Sequence, residues 1–221
     1  MSDKQRTIKK SVTLSGKGLH TGYAVDLTFQ PAPENHGIKF QRIDLDERPI
    51  IPASVDKVVD TSRGTTLEER GVKVHTIEHV MASLVGLGID NVLLEVSGPE
   101  MPIMDGSSKL IVEALKKAGT VEQEADRDYY YIKEPTAYRD EQNGIELIAY
   151  PDDGFSINVL IDYDSKVLGN QYAYYDTNTD FEKEIAPCRT FVFFHELEFL
   201  RKNNLIKGGI WQMPLSLWSS R

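Results

Sequence analysis

The chain has 221 residues, 40% of them hydrophobic and 27% charged, with a formal net charge of −9 at pH 7. That length suits one large or two small domains, and the composition is that of a globular protein rather than a disordered chain. The acidic balance argues against nonspecific binding to nucleic acid or anionic lipid, while leaving room for a local basic patch that holds a small anionic substrate. The single cysteine, Cys188, rules out an intrachain disulfide and a cysteine-built zinc cage. The N-terminal residues lack the apolar core of a signal peptide. No apolar run approaches the ~20 residues of a spanning helix. A cytoplasmic protein without a membrane span is therefore expected.

Alternation of polar and apolar residues predicts a strand over Thr7–Leu14, ending in a turn at Ser15-Gly16-Lys17-Gly18. Further short strands are expected at Ala24–Phe29, Ile38–Arg42 and Ile50–Val55. A helix is predicted from about Thr76 to Leu87, with Val80, Leu84 and Leu87 on one face and Gly88 as its stop. The mostly apolar run Asn91–Val96 reads as a strand. A second helix starts near Ser107, its stripe formed by Leu110, Ile111, Ala114, Leu115 and Ala118 before Gly119. The acidic, aperiodic stretch Val121–Asp128 reads as a linker between domains. Beyond it, Tyr129–Lys133, Ile145–Tyr150 and Phe155–Asp162 read as antiparallel strands, and a last helix covers about His195–Lys202. Both tryptophans, Trp211 and Trp218, fall in a tail, Ile210–Arg221, that has neither alternation nor a helical stripe.

The chemistry concentrates at His75-Thr76-Ile77-Glu78-His79. A carboxylate beside an imidazole on a helix is the pairing a metal hydrolase uses for a base next to a ligand. His75 and His79 share a helix face and could form a two-histidine metal pair, or could be ordinary polar groups near a helix start. A catalytic zinc takes three protein ligands, and His20, His36 and His195 are scattered without motif spacing. Gly16-Lys17-Gly18 lacks the Walker spacing, and Lys4, Lys9, Lys10 and Lys17 read as a solvated face.

Further ordered motifs accompany Thr76-Ile77-Glu78-His79: Gly18-Leu19-His20-Thr21-Gly22, the run from Leu84 to Asn91, Pro99-Glu100-Met101-Pro102-Ile103-Met104-Asp105-Gly106-Ser107 and Arg189-Thr190-Phe191. Together they resemble the zinc-dependent UDP-3-O-acyl-N-acetylglucosamine deacetylases of lipid A biosynthesis. The match spans Gln5 to Gly209. The resemblance implies an α+β fold of two similar two-layer sandwich domains of the kind seen in ribosomal protein S5 domain 2. These would be a first domain over 1–120, the linker 121–128, and an incomplete second domain over 129–209. It implies His79 as a Zn2+ ligand, Glu78 as general base toward a zinc-bound water that attacks the N-acetyl carbonyl, and Thr190 as the hydroxyl that holds the oxyanion. His75 becomes a bystander. His20, Arg63 and Thr65 are expected near the UDP-sugar, although His20 fits a structural role equally well. An insertion at about 190–209, with Phe191, Phe194, Leu197 and Ile206, is expected to form a passage for the 3-O-acyl chain. The implied partner is the UDP-acyl-glucosamine substrate, without nucleic acid, and with proximity to the membrane surface through the lipid pathway.

The family draws two further zinc ligands from a His-x-x-x-Asp helix and a proton donor from a later histidine, and this sequence contains no such segment. One ligand of three implies an inactive chain and leaves apolar strands such as Val159–Ile161 partly uncovered. A non-catalytic UDP-sugar and acyl-binding fragment is the alternative. The tail suggests a cause for the gap. Codons can be chosen for Ile210–Trp218 that, shifted by one restored G, read Asp-Leu-Ala-Asn-Ala-Ile-Val-Ile-Val, a strand typical of relatives. Ile210–Arg221 is thus expected to be a frameshift product. Some family members carry a C-terminal 3-hydroxyacyl-carrier-protein dehydratase, so a fused, bifunctional parent is also implied.

Overall fold

The computed structural model describes residues 3–202 and 205–208, apart from the side chains of Phe194, His195, Phe199 and Arg201. The chain is α+β and its described residues form two compact units, one from those up to Asp126 together with those between Asp180 and Gly208, the other from Arg127–Thr179. The tail Ile210–Arg221 and the frameshift expectation attached to it lie outside the described residues.

The first unit begins with strands β1 (Lys4–Ile8), β2 (Val12–Lys17), β3 (Ala24–Pro31), β4 (Ile38–Arg42) and β5 (Ile50–Pro52). Next come the short strands β6 (Val58–Asp60), β7 (Thr66–Glu69) and β8 (Val72–Val74), helix α1 (Glu78–Gly86), strand β9 (Val92–Val96), helix α2 (Lys109–Ala118) and strand β10 (Thr120–Asp126). A five-stranded sheet has the order β2-β3-β9-β4-β5, with β4 and β9 parallel and the other pairs antiparallel. Alternation along β3 and β9 sends Val25, Leu27, Phe29, Val92, Leu94 and Val96 inward. Val80 and Leu84 of α1 and Ile111 and Leu115 of α2 complete the same buried cluster. The helices thus bury one stripe each against the sheet, the two-layer solution to covering an apolar face.

Several expectations need correction. Thr7–Leu14 is two strands, because Lys9-Lys10-Ser11 interrupts them and the Lys9 amide turns to the Gly119 carbonyl at 2.9 Å. No turn occupies Ser15–Lys17: β2 runs on through these residues, and Gly18 bridges to Pro102. Val121–Asp126 is not an aperiodic linker but most of β10, antiparallel to β1. Its acidic side chains suit an edge strand, while Gln123 points inward, accepting from the Asn91 amide group and donating to the Ala32 carbonyl. α1 starts at Glu78 rather than Thr76, because Thr76 has φ 59°, which no α-helix accommodates.

Residues 180–208, read in the sequence with the second domain, belong to the first unit. A single π-turn over Phe181–Ile185 places the Phe181 ring against Gly86 of α1, and Lys116 of α2 pairs with Glu182. Helix α3 (Phe194–Lys202) follows. The second unit consists of two antiparallel hairpins, β11 (Thr136–Asp140) with β12 (Ile145–Ala149), and β13 (Ser156–Asp162) with β14 (Asn170–Asp176). Tyr129–Lys133 is not a strand, and β14 lies where the sequence pattern predicts none. Val159, Leu160 and Ile161 are 40%, 71% and 41% exposed. Among the described residues no helix is long and apolar enough to cross a membrane.

Candidate functional site

Glu78 and His79 open α1, where the unpaired backbone amides of the first turn favour a carboxylate. The Thr65 amide donates to Glu78 Oε2 at 2.9 Å, so the loop before β7 fixes the orientation of this carboxylate. Gly64 makes that approach possible: its φ of 152° suits glycine, and a Cβ there would lie 3.2 Å from Glu78 Oε1. Burial pushes the His79 imidazole below its usual range, with the Glu78 and Asp105 carboxylates pulling the other way. A neutral imidazole is the form that can ligate a metal. The His79 carbonyl accepts the Ser83 and Ser108 hydroxyls, which ties the start of α1 to the start of α2. His75 is engaged elsewhere, its Nδ1 sharing a 2.9 Å hydrogen bond with the Thr66 hydroxyl.

The turn before α2 brings in the later chain. The Asp105 carboxylate accepts the Ser107 hydroxyl at 2.7 Å and pairs with Arg189 at 3.2 Å. Burial opposes its ionised form, but the Ser107 hydroxyl and amide and the Arg189 guanidinium outweigh this and hold the carboxyl below the usual range. The Thr190 amide donates to the Gly106 carbonyl at 2.9 Å. Thr190 is thereby anchored beside Asp105, whose charge is felt at His79.

The loop Gly18–Gly22 is held by a buried carboxylate. Glu100 is 1% exposed, and its oxygens accept the His20 and Thr21 amides, both at 2.8 Å, and the Thr21 and Thr76 hydroxyls at 2.7 and 3.1 Å. Burial opposes its ionisation, but the two amides and the Thr21 hydroxyl hold the carboxyl below its usual range. His20 Nε2 shares a hydrogen bond of 3.1 Å with the Arg63 carbonyl, and Arg63 pairs with Glu196 of α3 at 3.3 Å. Phe191 is 39% exposed and meets Phe193 edge to face at 5.7 Å. Leu197 and Ile206 are half-buried, and the Phe194 side chain lies outside the described residues.

Glu78, His79 and Thr65 therefore come together around the start of α1, with His20 and Arg63 tied to each other through one hydrogen bond. The motifs contain Glu100, Asp105 and Arg189 without implying a role for them, and Glu196 lies in none of them. The only signal for Glu100 was a charged residue set among Pro99, Met101 and Pro102.

Zn2+, which the resemblance implies, needs three protein ligands in a catalytic site. Among the described residues no three His, Cys, Asp or Glu side chains converge. His79 is one donor, so these residues do not by themselves fit a catalytic zinc centre.

An α+β unit that holds a carboxylate and an imidazole side by side at one helix start presents a candidate hydrolytic site. The profile of the family "LpxC: UDP-3-O-acyl N-acetylglycosamine deacetylase" matches residues 5–217. The chain is 52% identical over 206 residues to the "Bifunctional enzyme LpxC/FabZ" of Bacteroides thetaiotaomicron and 50% identical over 206 residues to that of Porphyromonas gingivalis. Each alignment covers 93% of this chain and 45% of the relative. It is also 44% identical over 209 residues to the "UDP-3-O-acyl-N-acetylglucosamine deacetylase" of Saccharophagus degradans, covering 93% of this chain and 68% of that protein. The chain belongs to the LpxC family, and it spans less than half the length of the bifunctional relatives.

Proposed function

We propose that this chain carries the base-bearing part of a UDP-3-O-acyl-N-acetylglucosamine deacetylase site, acting in lipid A biosynthesis close to the membrane surface. The observation that carries the reading is the Glu78 carboxylate, held by the Thr65 amide next to the His79 imidazole at the start of α1. Glu78 takes the proton of a water that attacks the acetamide carbonyl at the sugar's 2-position. The Thr190 hydroxyl donates to the oxyanion that forms. His20, Arg63 and Thr65 face the UDP-sugar, and Phe191, Phe194, Leu197 and Ile206 border the passage of the 3-O-acyl chain. The β11–β14 hairpins are part of a second sandwich domain similar to the first, and the parent protein is of the dehydratase-fused form. His79 is the zinc ligand that these residues supply.

A chimera tests this. Residues 5–208 replace the matching segment of the Saccharophagus degradans deacetylase, which then supplies the remaining polypeptide. The chimera is expected to release acetate from UDP-3-O-acyl-N-acetylglucosamine, and Glu78→Ala to reduce that rate at least about 100-fold. The isolated chain should bind the UDP-sugar saturably with well under one zinc per molecule. A folded chimera without acetate release would refute the reading. The alternative, a non-catalytic UDP-sugar and acyl-binding fragment, predicts binding by the chain together with an inactive chimera.

A further inference from the structure

We infer that Glu100 is a positioning residue, a buried carboxylate that holds the base-bearing start of α1 in register with the acyl-side segment 205–208. Its two oxygens collect four neutral donors from two separate stretches, His20–Thr21 and Thr76. Thr76 lies two residues before Glu78 and is held at φ 59°, so fixing its hydroxyl fixes how the chain enters the helix. On the other side the loop that Glu100 holds presents the Leu19 carbonyl to the Gly208 amide at 3.0 Å. That contact is tight: a Cβ on Gly208 would overlap the Gly18 carbonyl, and one on Gly18 would overlap the Glu100 carboxylate. The same loop places His20 Nε2 against the Arg63 carbonyl. Glu100 touches neither Glu78 nor segment 205–208 by any hydrogen bond described, and it acts on both through what it holds.

The requirement is for a carboxylate rather than any polar group. Each oxygen accepts one backbone amide and one threonine hydroxyl, so a glutamine would turn its NH2 toward one amide and one hydroxyl; the hydroxyl can rotate to accept, but the amide cannot. A buried donor left facing another donor loses its bond without water to replace it.

The test on the whole chain is amide hydrogen exchange of Glu100→Gln. Protection at Thr21 or His20 and at Gly208 is expected to fall about tenfold, the loss of one hydrogen bond to a charged acceptor, while β9 and α2 keep theirs. Thr21→Val, which removes one donor and leaves the charge, should show the same pattern more weakly and serves if Glu100→Gln does not fold. A second measurement rests on the deacetylase reading. The preference of the chain for acylated over non-acylated UDP-N-acetylglucosamine should collapse toward one in Glu100→Gln, whereas a purely structural weakening would lower both affinities alike. Unchanged protection at Gly208, or equal loss at every amide including β9, would overturn the inference. If the unaltered chain binds neither sugar nucleotide, the deacetylase reading falls, and the exchange pattern still decides the role of Glu100.

Discussion

Replacing Gly86 by alanine should destabilise the first unit, although it puts the best helix former into a helix. In isolation Gly→Ala stabilises a helix by up to about 1 kcal/mol. Here a Cβ would sit 2.5 Å from Phe181 Cγ and closer still to two other ring atoms, inside van der Waals contact. Phe181 is 9% exposed and is held by the π-turn that begins the segment from Asp180 onward, so the ring has to shift out of its seat. Overpacking of this kind costs roughly 1–3 kcal/mol, which exceeds the propensity gain. The net loss is then up to about 2 kcal/mol. Urea unfolding followed through the β9 amide resonances reads the first unit directly and would show a lower midpoint at unchanged slope. In a Phe181→Ala background the obstacle is gone, and Gly86→Ala should become neutral or stabilising by up to about 1 kcal/mol. Equal destabilisation in both backgrounds would refute the packing of this segment on α1.

Acidification should weaken the first unit in two stages. His79 and His75 are both pushed below 6.5 by burial, so the unfolded chain takes up their protons first and stability falls as pH drops below 6.5. Glu100 and Asp105 are held below 4.5 and 3.8, so their contribution is complete above those values and is lost as pH falls through their lower folded ones. Urea midpoints measured from pH 8 to pH 3 should show both stages, and His79→Ala should flatten only the upper one. Asp105→Asn should cost less than about 1 kcal/mol, because its partner Arg189 is 44% exposed and surface pairs are weak. It should nevertheless speed exchange of the Thr190 amide, which an irrelevant pair would leave unchanged.

The elements that the sequence announced are those whose periodicity survives in the structure. The stripe from Leu110 to Ala118 lies within α2, and the apolar run after Asn91 is β9 at the centre of its sheet. What failed was decided by partners distant in the chain. Val121–Asp126 has the composition of a linker and becomes a strand only because β1 lies alongside it. Asn170–Asp176 carries tyrosines and polar residues without a clean alternation, and its register comes from β13. Tyr129–Lys133 has strand-forming residues, but no strand among the described residues is paired with it. β propensity describes a fit to neighbours, so it misleads where the neighbours are unknown.

The same distinction divides the candidate site. Glu78 and His79 are adjacent and open a helix, so their pairing is visible locally, as a motif. Glu100 could not be found in that way. A glutamate in a sequence is by default a surface residue, and this one becomes interior only because its donors arrive from His20 and Thr21, 80 and 79 positions away, and from Thr76. Gly18 has a local explanation as a turn residue, yet the structure uses it to bring backbone against that carboxylate. The wrong turn at Ser15–Gly18 and the unassigned Glu100 are therefore one omission. A glycine that leaves room and a buried acid that fills it make sense only as a pair, and pairing across that distance leaves no period in the sequence.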